Sequence, residues 1–187
     1  MEILLATNNP GKRKEYIDLA KEHSKNIKFI LPKELGIKSD PEENGKTYAE
    51  NSLIKAQAIA KFTNMVILAD DAGIEIEALG SHFPGIYSHR YLETLNSLNQ
   101  LAEKCADSKA KFHCSIVLLN YQNNPIICEG EIQGKIVNPK GKNGFGYDPI
   151  FMPDGYDKTF GEMLEEDKNK ISHRENAFAK LLKILNI

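Results

Sequence analysis

The sequence lacks an excess of either charge, because 24 lysine and arginine residues are balanced by 26 aspartate and glutamate residues, a formal net charge of −2. Binding a long stretch of nucleic acid requires a strong basic field, so we expect no nucleic-acid partner. A small phosphorylated ligand is not excluded, because a few local charges are sufficient to bind it.

Long apolar runs and paired cysteines are also missing. No apolar run approaches the ~20 residues that a membrane-spanning helix needs, so we expect no membrane association. The opening MEILLATNN has no basic region before its short apolar run, which predicts a first strand rather than a signal peptide. Cys105, Cys114 and Cys128 show no CxxC spacing, and three cysteines cannot all pair within one chain. We expect buried thiols and a reducing, cytoplasmic location.

The familiar motifs of zinc, covalent and P-loop chemistry do not occur. The sequence has no HExxH, no GxSxG and no GxxxxGK[ST], and its five histidines are scattered. Zinc catalysis and covalent catalysis are therefore both poorly supported.

Apolar periodicity predicts alternating strands and helices in one domain, residues 1–187, without repeats or a linker. Strands are expected at residues 3–6, 27–31 and 65–69, at the alternating GIEIEAL after them, and at a long hairpin of 111–121 and 126–137. Helices are expected at about 12–22, 47–61 and 92–105, and from Ser172 to the end. Capping-box spacing occurs at Thr47, Thr159 and Ser172, each three residues before a glutamate. The pattern favours an α/β protein with a mixed sheet.

The turn TNNPGK, residues 7–12, joins the first strand to the first helix. Backbone N–H groups at a helix start, together with Lys12, would suit a phosphate. The alternative is an ordinary turn with a surface lysine.

Two neighbouring carboxylates, Asp70 and Asp71, follow the apolar run of residues 65–69 in the stretch LADDAG. Adjacent residues of a strand point to opposite faces, so one carboxylate could hold a metal while the other turns elsewhere. A functional site and a solvated acidic turn remain equally open. The preceding stretch PEENGKTYAENSLIKA adds Glu43 and places Asn51 and Lys55 one helical turn apart.

Two later stretches also stand out. NGFGYDPIF, residues 143–151, flanks Phe145 with two glycines that allow the backbone to approach a ligand closely. EEDKNKISHRE carries Lys168 and then His173 and Arg174, and a cation at a helix start opposes the helix dipole. This local conflict makes a functional role for Arg174 a hypothesis, and the alternative for His173 is a surface residue or a neighbour of the helix cap.

Six blocks of the sequence, taken in order, resemble the inosine/xanthosine triphosphate pyrophosphatase family. They are LATNNPGK, EENGKTYAENSLIKA, ADDAG, FPGIYSHRY, FGYDPIF and ISHR. The resemblance spans nearly the entire chain, and FGYDPIF with ISHR is its most specific part. It implies a two-lobed α/β fold with a long, twisted mixed β-sheet, flanking helices and a deep cleft between the lobes. It also implies a cytoplasmic homodimer that uses Mg²⁺ to cleave ITP, dITP and XTP to the monophosphate and pyrophosphate.

The resemblance also implies roles for individual residues. Asp71 would be the general base, and Glu43, Asp70 and Asp71 would bind the metal. The substrate-binding positions would be Thr7, Asn8, Asn9, Pro10, Gly11, Lys12, Lys55, Ala72, Phe145, Gly146, Tyr147, Asp148, Lys168, His173 and Arg174. Within this set, Phe145 would stack on the purine and Asp148 would accept a hydrogen bond from a ring N–H.

The chain departs from the family pattern at Asn8, where glycine is common, and at Ala72, where serine is usual. Asparagine tolerates a left-handed φ better than most residues, which would preserve the turn. The segment after Arg90 and Tyr91 is also shorter than in many bacterial members. Rival interpretations are a pyrophosphatase for pyrimidine or modified nucleotides, and a module that senses nucleotides without hydrolysing them.

Overall fold

The computed structural model describes residues 1–23 and 26–187, which form six strands and six α-helices. The strands are β1 Glu2–Leu5, β2 Lys28–Ile30, β3 Ile67–Ile76, β4 Lys109–Leu119, β5 Ile126–Ile136 and β6 Phe151–Pro153. The helices are α1 Pro10–His23, α2 Tyr48–Ala60, α3 Ser88–Thr94, α4 Leu98–Lys104, α5 Glu165–Asn169 and α6 His173–Leu185. Within these described residues no helix is both long and apolar enough to cross a membrane.

The six strands form one sheet in the order β2-β1-β3-β4-β5-β6. β1 runs parallel to β2 and to β3, with Leu4 opposite Ile30 on one side and Ile67 on the other. β6 is antiparallel to β5. Residues 120–125 connect β4 to its neighbour β5, and this link is too short for the crossover that a parallel pair needs. The α/β class with a mixed sheet is therefore confirmed.

The chain divides into two compact units, which we describe separately. Unit 1 contains Met1–Asp71, Cys114–Gly130 and Glu175–Ile187, and unit 2 contains Ala72–His113 and Glu131–Arg174.

Unit 1 buries the inner sides of α1, α2 and α6. Five apolar side chains of α6 are buried, namely Ala177, Phe178, Leu181, Leu182 and Leu185. Phe178 makes an edge contact with Tyr16, whose ring centroid lies 5.8 Å away. Burial of such aromatic and aliphatic side chains, at roughly 1.5–3 kcal/mol each, anchors the helices on the sheet.

Unit 2 has an aromatic core centred on Phe112 of β4. The rings of Phe151 and Phe160 lie 4.7 and 5.9 Å from it, and the imidazole of His173 stacks on it at 4.8 Å. The buried thiol of Cys105 packs in the same core. All three cysteines are buried, as predicted.

The prediction of two strands around Asp70 and Asp71 is wrong, because β3 runs without interruption through both residues. β1 pairs with β3 only as far as Leu68. β3 has the 11-residue β4 as its other neighbour, so its hydrogen bonding does not stop where β1 ends. The two carboxylates therefore project from the middle of a strand, just beyond the last β1 pair.

The single helix predicted near residues 92–105 is also wrong, because α3 and α4 are separate. Leu95 is extended, with ψ 133°, and the Ser97 hydroxyl accepts a hydrogen bond from the Gln100 N–H at 3.2 Å. The extended Leu95 ends α3, and Ser97 as the N-cap begins α4.

The predicted capping interactions of Thr47 and Thr159 are both present, but only that of Thr47 begins a helix. The Thr47 hydroxyl caps α2 by accepting from the Glu50 N–H at 3.1 Å. Thr159 and Glu162 exchange both bonds of a box, at 3.2 and 2.9 Å, yet they enclose a turn because Leu164 is extended (ψ 151°).

Candidate active site

A cluster of opposite charges in unit 1 brings together five of the predicted site residues. This carboxylate–lysine cluster consists of Lys12 at the start of α1, Glu43 before α2, Lys55 on α2, and Asp70 and Asp71 on β3. Lys12 Nζ lies 3.2 Å from Asp70 Oδ2, and Lys55 Nζ lies 3.0 Å from Glu43 Oε2 and 3.6 Å from Asp71 Oδ1. Two ammonium groups are therefore held among three carboxylates.

The turn before α1 is held by its own side chains. The Asn9 side-chain oxygen accepts from the N–H groups of Gly11 and Lys12 at 2.9 and 3.1 Å, and the Thr7 hydroxyl accepts from the Asn9 N–H at 3.1 Å. Asn9 thus caps α1, and Pro10 occupies the first helical position, where its missing N–H costs nothing. These N–H groups were predicted to meet a phosphate, but here they are already paired within the turn.

Asn8 is exposed and its amide donates to the Ser39 carbonyl at 3.2 Å. It does not adopt the positive φ that its replacement of glycine suggested. The turn therefore forms without the left-handed conformation that glycine would favour.

Asn51 is a buried residue that the sequence brought to attention only through its spacing from Lys55. Its Nδ2 donates to Asp71 Oδ2 at 3.1 Å, and its Oδ1 accepts from the Gly45 N–H at 2.8 Å. A Cβ on Gly45 would lie 2.7 Å from that same oxygen, so a side chain there would displace the amide. Asn51 thereby ties Asp71 to the loop that carries Glu43.

Burial and neighbouring charges act in opposite directions within this cluster. Burial raises the pKa of Asp71, although Lys55 and Lys12 pull that pKa down. Burial alone would lower the pKa of Lys55, but Asp71, Asp70 and Glu43 together outweigh it, so the pKa of Lys55 is raised. Lys55 therefore keeps its positive charge, and Asp71 is a stronger proton acceptor than an exposed aspartate.

The donor set of this cluster fits a hard metal ion that arrives with phosphates. Across residues 1–23 and 26–187, no group of three or more His, Cys, Asp or Glu side chains is arranged to hold a metal by itself. Mg²⁺ is commonly held by one or two carboxylates, with water and substrate phosphates completing its six positions. Asp70, Asp71 and Glu43 offer only oxygen donors, which is the ligand chemistry that Mg²⁺ prefers.

In unit 2, the turn of residues 143–148, which we call the Phe145 turn, folds around the carboxylate of Asp148. Asp148 Oδ2 accepts from the Phe145 N–H at 2.8 Å and from Lys168 Nζ at 2.6 Å. The Tyr147 hydroxyl donates to the Ser88 carbonyl at 2.7 Å, and burial raises the pKa of that hydroxyl. Tyr147 is therefore held inside unit 2, whereas Phe145 is only partly buried.

The remaining predicted residues lie in unit 2 as well. His173 and Arg174 form the start of α6, and both are buried. Arg174 is 1% exposed, which makes it the largest fully buried side chain of the described residues. Ala72 is half-buried in β3, directly after Asp71, and Gly146 has a φ of 63° in the Phe145 turn.

Comparison with known proteins shows which proteins this chain is similar to. The chain is similar to a dITP/XTP pyrophosphatase of Bacillus subtilis, with 38% identity over 98% of this chain and 96% of that protein. Similarity to a dITP/XTP pyrophosphatase of Dictyoglomus thermophilum reaches 42% over 96% of this chain and 91% of that protein. The solved structure of a HAM1 protein from Coxiella burnetii matches with a TM-score of 0.84 and 39% identity, covering 100% of this chain and 98% of that one.

The fold thus belongs to a class of α/β proteins that includes pyrophosphatases. Residues 3–184 match the Ham1 family, and the chain belongs to that family.

Proposed function

We propose that this chain is a nucleoside triphosphate pyrophosphatase that hydrolyses dITP, XTP and ITP to the monophosphate and pyrophosphate. The observation that carries the proposal is the carboxylate–lysine cluster, in which Asp71 is buried between the Asn51 amide and the Lys55 ammonium. The names of the relatives, dITP/XTP pyrophosphatases, support the substrate class.

Lys12 and Lys55 are the groups that bind the phosphates. Each lies against a carboxylate in the ligand-free chain, so each can exchange that partner for a phosphate oxygen. Mg²⁺, held by Glu43, Asp70 and Asp71, would neutralise phosphate charge and would lower the pKa of a bound water. Lysine suits this role because it binds phosphate as a flexible point charge.

Asp71 acts as the general base. Its carboxylate accepts a proton from the attacking water while the new P–O bond forms at the α-phosphorus. The bond between that phosphorus and the oxygen bridging to the β-phosphate breaks, and pyrophosphate leaves with the electron pair. Burial, which raises the pKa of Asp71, brings it closer to the working pH and so favours proton transfer.

Recognition of the base belongs to unit 2. Phe145 offers a partly exposed aromatic face on which a purine can stack. Arg174 and His173 can donate to the 6-oxo group of hypoxanthine or xanthine, but Arg174 cannot accept from the amine of adenine. A base without the 6-oxo group leaves these donors without a hydrogen-bond partner, and this loss weakens its binding.

The test is pyrophosphate release from ITP, dITP, XTP, GTP and ATP, each with Mg²⁺ and with excess EDTA. We expect rapid release from the first three, much slower release from GTP and ATP, and none without the metal. Release of orthophosphate, equal rates on all five nucleotides, or tight binding of ITP without hydrolysis would each contradict the proposal. Including dTTP and UTP separates this function from that of a pyrimidine nucleotide pyrophosphatase. A cytoplasmic homodimer remains our expectation for the assembled enzyme.

A further inference from the structure

One oxygen of the Asp148 carboxylate is committed to contacts within the protein. This oxygen, Oδ2, receives both the Phe145 N–H at 2.8 Å and the Lys168 ammonium at 2.6 Å. Both side chains of this ion pair are 4% exposed. Hydrogen bonds to an ionised acceptor are about twice as strong as neutral ones, so this oxygen holds the Phe145 backbone firmly.

The backbone of the Phe145 turn is shaped around the same oxygen. A Cβ at Gly144 would lie 2.0 Å from Asp148 Oδ2, a separation that no side chain tolerates. Gly144 also has a φ of 72°, in the left-handed region where glycine is favoured. By contrast, a Cβ at Gly146 would meet only Leu92, at 4.0 Å. Of these two glycines, Gly144 is the one required by the carboxylate.

Lys168 makes further contacts through its side chain and through its backbone carbonyl. Its ammonium lies 5.1 Å from the centroid of the Phe145 ring and 5.4 Å from that of Phe160, within the range of cation–π attraction. Its carbonyl accepts the N–H groups of Ile171 and Ser172 at 3.1 and 2.9 Å. The Lys168 side chain therefore lies over the Phe145 ring, whereas only its backbone carbonyl holds the turn before α6.

We infer that Asp148 and Lys168 are positioning residues, which fix the Phe145 ring for the base and do not themselves read it. The inference rests on the proposed function only for the identity of the ligand. A buried ion pair contributes little net stability compared with apolar side chains of the same size, but it requires one arrangement of its partners. That property suits a part of the molecule whose task is to hold a ring in one place.

The first experiment needs no ligand and measures hydrogen exchange of the Phe145 amide by NMR. We compare the wild-type protein with Asp148→Ala/Lys168→Met, which removes the acceptor without leaving a buried charge unpaired. The Phe145 amide should exchange at least about tenfold faster, because its charge-assisted hydrogen bond is lost. The Ile136 amide, bonded to the Ser108 carbonyl at 2.9 Å, reports that unit 2 is still folded. Unchanged exchange at Phe145 would overturn the inference.

The second experiment separates positioning from direct contact. Purine riboside triphosphate has a purine face but neither the 6-oxo group nor the ring N–H, and its inhibition constant against ITP hydrolysis measures its binding. In Asp148→Asn the KM for ITP and this inhibition constant should rise by the same factor, about tenfold, with kcat within about threefold. A loss confined to ITP, or an analogue that fails to compete even with the wild-type protein, would overturn the inference.

The matched control is Lys170→Met. Lys170 makes an exposed ion pair with Asp167 at 3.2 Å, two residues beyond Lys168. It should leave KM, kcat and the exchange rate of the Phe145 amide unchanged. If wild-type protein hydrolyses no purine nucleotide, the proposed function fails, while the exchange experiment still decides whether Asp148 and Lys168 position the turn.

Discussion

The two charged regions of this protein use the same residue types in different ways. In the carboxylate–lysine cluster of unit 1, the lysines lie 3.0 to 3.6 Å from carboxylates, and the side chain of Glu43 is 36% exposed. In unit 2, Asp148 and Lys168 form a single 2.6 Å pair that is almost completely buried. The first region is partly accessible to water and joins several charged side chains, whereas the ion pair of the second is enclosed in the protein.

This difference matches what each region is proposed to do. Charges that have several partners and some access to water can exchange a protein partner for a phosphate oxygen at modest cost. A fully buried pair cannot be separated without leaving an uncompensated charge, which costs about 3–5 kcal/mol. Chemistry is therefore expected to be lost by changes in unit 1, and affinity for the base by changes in unit 2.

The largest effect should come from Asp71→Asn. The amide cannot accept the proton of the attacking water, so kcat for pyrophosphate release should fall by about 10²–10⁴-fold. Thermal unfolding should show that the protein remains folded, because the side chain keeps its size. Asp167→Asn, at an exposed carboxylate, is the control. Near-normal turnover would remove Asp71 from the role of base.

Phe145→Ala should act on binding instead. Loss of base stacking should weaken ITP binding by roughly 1–3 kcal/mol, with kcat changed far less. Steady-state kinetics with ITP measures both quantities. Tyr156→Ala, at an exposed aromatic residue of the same unit, provides the comparison. An unchanged KM would exclude stacking on Phe145.

Asn51→Ala tests whether Asp71 must be held in place. Loss of a side chain that orients a catalytic or metal-binding group typically costs about 10–100-fold, and we expect the lower end of that range in kcat. Ser52→Ala is a matched control, because Ser52 is buried in the same helix and donates to the Ser115 carbonyl at 2.8 Å. If both variants lose activity equally, the loss reflects general damage to α2.

The smallest effect is expected from alanine substitutions of the two glycines in the Phe145 turn, Gly144 and Gly146. Alanine at either position adopts an unfavourable positive φ, at about 1–2 kcal/mol. Gly144→Ala also collides with Asp148, which should add about 1–3 kcal/mol and raise the KM for ITP. Gly146→Ala meets only Leu92, at 4.0 Å, and serves as the control. Denaturant unfolding and ITP kinetics measure the two effects, and equal results for both variants would count against the collision.

Local patterns predicted the elements well where one side of an element is buried. The apolar spacing of α6 and the strand runs of β1, β4 and β5 were recognisable because burial imposes a period on the sequence. The continuous β3 was not recognisable, because two aspartates in mid-strand look like a turn. Their place in a strand depends on neighbouring β4, which is distant in sequence.

The sequence by itself determined the mixed α/β class and the motifs that mark the Ham1 family, because both are written in short, ordered stretches of chain. Only the tertiary structure decided which partners those motifs have. Asn51 meets Asp71 across 20 positions, and Lys168 meets Asp148 across another 20. Such pairs form when separate segments pack together, and the hydrogen bonds of a buried carboxylate depend on which donors that packing brings within about 3 Å.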